Sequence, residues 1–270
     1  MVLAKQQAKE VRSLDLYNKK VGRVPNSVWQ STRLERLNLA DNHLSSISEE
    51  IGKLARLRIL DLGHNEISSL PETLFALKRL EFLYISNNKL KSISSNVAKL
   101  KSLIYLNFTD NQITKLPDEI GELPNLIEFR VYNNQIGTLP DSIGKLKNLQ
   151  ELHAMKNKLA SIPESVGRLK KLKKLILQSN AISWLPESLG NAISLTDLDM
   201  RLNQLTSLPD SIGDLKHLRF LDLRANKLTS LPKSIAGLKN LEKLDLRWNP
   251  LTSIPRWLKP LEKRGCLIYL

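Results

Sequence analysis

Little in this sequence offers covalent or redox chemistry. It has one cysteine, Cys266, in 270 residues, which rules out an intrachain disulfide and a cysteine-based zinc cluster. Aromatic residues make up 5%, so any core has to be built from aliphatic side chains. No apolar run approaches the roughly 20 residues that a membrane helix needs. The opening stretch MVLAKQQAKEV also lacks the apolar segment of a secretory signal. These features point to a cytoplasmic protein. Acid is scarce too: 27 Asp plus Glu face 41 Lys plus Arg, for a formal net charge of +14. A surplus of that size keeps a long open surface soluble and steers acidic partners.

The signatures of common enzyme classes are missing as well. No GxxxxGK[ST] phosphate loop, HExxH helix or GxSxG elbow occurs. Of the four histidines, only His153 falls at an outward strand position, and no Cys or Ser/Asp arrangement accompanies it. No catalytic residue, metal site or cofactor is expected.

What the sequence does have is a period. Asparagine recurs at Asn42, Asn65, Asn88, Asn111, Asn134, Asn157, Asn180, Asn203, Asn226 and Asn249, always 23 residues after the last. Leu34, Leu57, Leu80, Leu103, Leu126, Leu149, Leu172, Leu195, Leu218 and Leu241 keep the same step. The unit reads LxxLxLxxNxLxxLPxxIGxL. Val11, Leu14 and Leu16 extend it backwards, giving eleven repeats with no insertion or deletion over residues 11 to about 262.

This unit resembles the leucine-rich-repeat family, in particular the 23-residue LPxxIGxL type of bacterial and Ras-group-related intracellular proteins. The resemblance implies an α/β fold, a leucine-rich-repeat solenoid or curved horseshoe. Parallel strands would line its concave face, with short helices or 3-10 turns on the convex one. It also implies that the asparagine column forms a hydrogen-bonded ladder, and that the surface recognises other proteins. Some bacterial members carry a fused ligase, kinase or GTPase domain, and the repeats occupy nearly all of the 270 residues here.

The columns explain themselves physically. In LxLxxN the two leucines alternate, so both point to one side of a short strand. One coil cannot bury them alone, and stacking coils makes a continuous core. The asparagine amide offers two donors and an acceptor to backbone groups that the turn would otherwise bury unpaired. Pro71, Pro117, Pro140, Pro163, Pro186, Pro209, Pro232 and Pro255 fix φ where the chain leaves for the outer side, while Ser48 and Ser94 replace that proline. The ends break the pattern. Residues 1–10 are read as an N-terminal cap segment, and Lys19 occupies the asparagine column of the first repeat. Residues 256–270 are read as a C-terminal cap, with Trp257, Leu258 and Leu261 on a helix ending near Gly265 and a last edge strand over 267–270.

With the core columns fixed, the outward positions follow. Phe82, Tyr84, Tyr105, Asn107, Arg130, Tyr132, His153 and Met155 fall together in repeats four to seven. Aromatic, Arg and Met side chains are enriched at interface centres; the competing reading is that such rings pack on one another and stabilise the strands. In later repeats Asp199/Arg201, Asp222/Arg224 and Asp245/Arg247 form a D-x-R strip, read as self-neutralising structure. Lys53, Arg56, Lys78, Arg79, Lys99, Lys101, Lys145, Lys147, Arg168, Lys170, Lys171, Lys173 and Lys174 gather mostly just before the strands. That edge suits an acidic approach. Nucleic acid is disfavoured, because the basic strip has few interleaved aromatics and no helix-in-groove motif.

The leading expectation is a non-enzymatic interaction module or scaffold that binds a folded protein partner on its strand face. One alternative is a basic scaffold for nucleic acid or an anionic membrane surface. Another is the substrate-recognition portion of a larger signalling or effector protein. Self-association through the strand face or an edge is left open.

Overall fold

Twenty-three residues must hold a strand, two turns and a return segment, so every element is short. The computed structural model describes residues 11–270; the cap segment proposed for residues 1–10 lies outside them. The chain falls into two compact units, one ending at Asn134 and one spanning Gln135–Leu270.

The first unit carries β1 (Ser13–Asp15), β2 (Arg36–Asn38), β3 (Ile59–Asp61), β4 (Phe82–Tyr84), β5 (Tyr105–Asn107) and β6 (Glu128–Arg130). Each pairs in parallel with the next, one repeat on, so that Leu37 faces Leu60 and Leu60 faces Leu83. The second unit repeats this with β7 (Glu151–His153), β8 (Lys174–Ile176), β9 (Asp197–Asp199), β10 (Phe220–Asp222), β11 (Lys243–Asp245) and β12 (Leu267–Tyr269). In most strands the middle residue is buried and its two neighbours half-buried, the alternation that a one-sided core requires.

The return segments are 3-10 helices of five residues, from Glu49–Lys53 to Lys233–Gly237. The first repeat instead makes a four-residue α-helix, Asn26–Trp29. Proline precedes most of these segments with φ near −70°, the value its ring imposes. Where serine replaces it, a hydroxyl does the work. Ser48 Oγ accepts from the Glu50 N–H, and Ser94 Oγ from the Asn96 N–H, each at 3.2 Å. Behind the strands the leucine column from Leu34 to Leu126 is fully buried, together with Phe108 and Phe129. Full burial of such side chains contributes about 1.5–3 kcal/mol each.

The asparagines bind each repeat to the one before. Asn65 Oδ1 accepts from the Asn42 and Leu44 N–H groups at 3.1 and 3.0 Å, and its Nδ2 donates to the Leu39, Leu62 and Gly63 carbonyls at 3.0 Å. In the second unit Asn203 and Asn226 each accept one N–H, from Ile182 and Leu205 at 3.0 Å, and donate Nδ2 to carbonyls of their own and the preceding repeat. Sequence reading gave no hint of one feature: the residue just before each ladder asparagine has a left-handed backbone, φ running from 51° at Ala225 to 60° at Trp248. That kink turns the asparagine inward and its predecessor outward. It explains the exposure of Leu202 and Trp248.

The second unit ends on a 3-10 turn at Arg256–Leu258, a helix at Lys259–Lys263 and strand β12. Leu258, Leu261 and Cys266 are buried there.

Candidate functional site

The strand face has to be built from what the core rejects. Leu83, Leu106 and Phe129 point inward and are buried, so Phe82, Tyr84, Tyr105, Asn107 and Arg130 stand on the other side of the first unit. Register sets Phe82 beside Tyr105, and Tyr84, Asn107 and Arg130 in line. Tyr105 is the hub. Its ring stacks near Phe82, centroids 6.4 Å apart, and lies 4.8 Å from Tyr84 at a tilt of 35°. The Arg130 guanidinium sits 6.0 Å from the Tyr105 centroid, within cation–π range. Asn107 Nδ2 donates to the Tyr105 hydroxyl oxygen at 3.3 Å.

Arg130 is anchored from below by Glu128. Burial opposes its charge, but Glu128 and Tyr105 hold its pKa above the ordinary value. Burial pushes the phenols of Tyr84 and Tyr105 up as well. The rings are packed on one another, as the sheet-stabilising reading expects, and remain half-exposed. Tyr132 is half-buried on the same unit.

His153 and Met155 belong to the second unit, where both are half-buried. His153 Nε2 lies 2.9 Å from a Glu151 oxygen, and Lys174 Nζ lies 3.0 Å from the other. Burial works against the Glu151 carboxylate, but these two partners hold its pKa below the usual range.

Further along, the D-x-R residues close into a charge ladder. Arg201 pairs with Asp199 at 3.1 Å and reaches Asp222 at 4.0 Å. Arg224 pairs with Asp222 at 2.6 Å and reaches Asp245 at 3.4 Å. Asp245 is fully buried and also takes Arg247 at 2.7 Å and Lys243 at 3.7 Å. Tyr269 of β12 covers both cations, 5.2 Å from Lys243 and 5.0 Å from Arg247. Exposed pairs of this kind contribute about 0–1 kcal/mol each; the buried Asp245 is the member whose loss would be felt.

The basic edge is partly neutralised by neighbours one repeat away, as in Lys101–Glu122 at 3.5 Å and Lys174–Glu151 at 3.0 Å. In the second unit Lys147, Arg168, Lys170 and Lys171 line an open hollow. The strand-face columns themselves are balanced. From Ser13 to Arg247 the three outward columns hold eight acidic and seven basic side chains, so the +14 surplus sits elsewhere.

One feature that sequence reasoning missed lies at the start of the first unit. A hollow of about 360 Å³ opens over β1 to β4, lined by Asp15, Arg36, Asn38, Asp61, Phe82 and Tyr84 among others. Its only sequence sign is the small residue Gly63 two positions after Asp61. Burial pushes the Asp61 carboxyl up against the opposing pull of the Gly63 N–H and His64, and the like charge of Asp15 adds to the rise.

Comparison with known proteins agrees with this architecture. The family described as Leucine rich repeat matches residues 9–67, 32–90 and 193–251, and that described as Leucine-rich repeat region matches 90–183 and 129–209. No curated protein matches the sequence. Among solved structures, the chain is similar to a TDR receptor at 31% identity and TM-score 0.88, covering 98% of this chain and 48% of that one. It is similar to the plant peptide hormone receptor RGFR1, solved in complex with RGF2, at 29% identity and TM-score 0.82, covering 92% and 41%. A leucine-rich-repeat protein of Leptospira interrogans matches at 28% identity and TM-score 0.54, covering 99% and 97%. The chain thus spans less than half of either receptor and nearly the whole of the bacterial protein. Among the described residues, no helix is long and apolar enough to cross a membrane.

Proposed function

The chain belongs to the leucine-rich-repeat family, and from that premise we propose that it is a non-enzymatic recognition module for a folded protein. The contact surface is the strand face, centred on Phe82, Tyr84, Tyr105, Asn107, Arg130 and Tyr132 of the first unit. His153 and Met155 of the second unit are further contacts. Within the family we place it in the 23-residue LPxxIGxL class, working in cytoplasmic signalling, where its one buried free thiol, Cys266, stays reduced.

One observation carries this reading. Tyr105 holds two aromatic rings and Arg130 in a fixed, half-exposed group with no core to enter. Rigid rings and an anchored guanidinium bury area at small entropic cost. The basic surface outside the strand columns adds long-range attraction for an acidic partner, while the balanced face selects by local chemistry.

The test is the triple variant Tyr105→Ala, Arg130→Ala and Tyr132→Ala, compared with wild type for retention of the partner captured from the native cell. Loss of capture by a folded variant, checked by circular dichroism, is the expected result. Unchanged capture sinks the assignment. A basic scaffold for nucleic acid would instead show affinity falling steeply with salt and indifferent to these three residues.

A further inference from the structure

The outward column that begins at Asp15 continues through Asn38, Asp61 and Tyr84 in direct register. Its Asp and Asn residues share a duty. Each accepts the N–H two residues on: Tyr17 to Asp15 at 2.9 Å, Ala40 to Asn38 at 3.0 Å, Gly63 to Asp61 at 2.9 Å, and Thr109 to Asn107 at 2.9 Å. Asparagine performs this turn as well as aspartate does, so the turn does not explain why position 61 carries a charge.

The second unit shows what the charge does in this column. Asp199, Asp222 and Asp245 are each followed two residues later by an arginine, and each takes its guanidinium, at 3.1, 2.6 and 2.7 Å. At position 61 the residue two on is Gly63, which has no side chain; at position 15 it is Tyr17. Among the described residues no cation forms an ion pair with Asp61 or Asp15. Arg36 lines the hollow above them without pairing to either. Tyr84 supplies one wall, and its ring is backed by Tyr105. A half-buried carboxylate, a steadied aromatic wall and an open hollow that both of them line describe a receptor for one group.

We propose that this hollow takes an arginine side chain of the protein partner. The guanidinium pairs with Asp61 and Asp15 and lies along Tyr84, making between two molecules the Asp–Arg contact that the second unit makes within itself. The proposal rests on the recognition reading above and adds the chemistry of the partner's anchor: a basic residue on an otherwise acid-tolerant surface.

The probe is N-acetyl-arginine methylamide, titrated into the full chain and followed by NMR at the Asp61 and Gly63 amides and the Tyr84 ring. N-acetyl-glutamate methylamide is the opposite-charge control. Shifts confined to these groups are expected with arginine alone. Asp61→Asn keeps the Gly63 turn, as Asn38 and Asn107 do, and should weaken arginine binding about tenfold or more, the scale of one close charge pair. Arg36→Gln removes a like charge and should tighten it. Absence of localised shifts with arginine overturns the proposal. So does the reversed pattern, in which glutamate binds, Asp61→Asn tightens it and Arg36→Gln weakens it. Neither result touches the Tyr105, Arg130 and Tyr132 capture experiment, so the two readings fail separately.

Discussion

Replacing Asn65 with alanine tests the ladder at a rung with five backbone partners. The side chain is buried and touches five backbone groups, but these do not lose equally. The Leu39 carbonyl keeps a donor from Asn42 Nδ2, that of Leu62 from Asn88 Nδ2, and that of Gly63 from the Asp41 N–H. The N–H groups of Asn42 and Leu44 have Asn65 Oδ1 as their acceptor and are stranded. Two buried donors left unpaired cost about 1–3 kcal/mol each, so Asn65→Ala should lose about 2–6 kcal/mol. Exposed Asn125 reaches a single carbonyl, that of Lys101 at 2.9 Å, and its alanine variant should lose about 0.5 kcal/mol or less, as surface substitutions do. The assay is urea unfolding by circular dichroism at unchanged m value, with hydrogen exchange at Asn42 and Leu44 as the local readout. A loss below about 1 kcal/mol for Asn65→Ala, without faster exchange at those amides, would refute the view that the acceptor oxygen is what matters.

Three other outcomes follow from the same geometry. Leu202 holds a left-handed φ of 56° with its side chain exposed, so Leu202→Asn should raise stability by about 0.5–1 kcal/mol, read as a higher urea midpoint. A methyl group at Gly190 would sit 2.5 Å from the Ser211 carbonyl oxygen and 2.7 Å from its Cβ, whereas Gly137 has open space around it. Gly190→Ala should therefore lose about 1–3 kcal/mol in thermal unfolding while Gly137→Ala loses far less. Asp245→Asn should cost about 2 kcal/mol at pH 7, since three cations lose their common anion. Burial opposes the Asp245 charge, but Arg247 and Arg224 hold its folded pKa below the ordinary carboxylate value. The wild-type advantage is thus present above that value and fades as pH falls through the lowered one, so the two melting curves should converge in acid.

The repeat made most of the fold legible. Leucine at fixed offsets names the inward side of every strand from periodicity, and the asparagine ladder follows from the amide's donors and acceptor together with the family resemblance. The outer segments were readable only as short helix or 3-10 turn, because five residues after a proline fit either. The left-handed position was hidden by its occupants. His64, Asn87 and Asp110 tolerate it, but Lys156, Leu202, Ala225 and Trp248 disguise it. The Asp–Arg strip could be foreseen because partners two residues apart share a strand face. The hollow at Asp61 could not, since its meaning lies in a side chain that Gly63 lacks.

The ladder also has a direction. Among the described residues a ladder asparagine serves an N–H 21 residues earlier in both units, one 23 residues earlier at Asn42 and Asn65, and carbonyls 26 residues earlier, and none serves the repeat that follows. Each coil is therefore finished by its successor. A chain leaving the ribosome N-terminus first closes any given turn only once the next coil has docked, so structure trails synthesis by one 23-residue step. Losing a coil from the C-terminal end strands amides in the one behind it, while losing one from the N-terminal end leaves the remaining turns served.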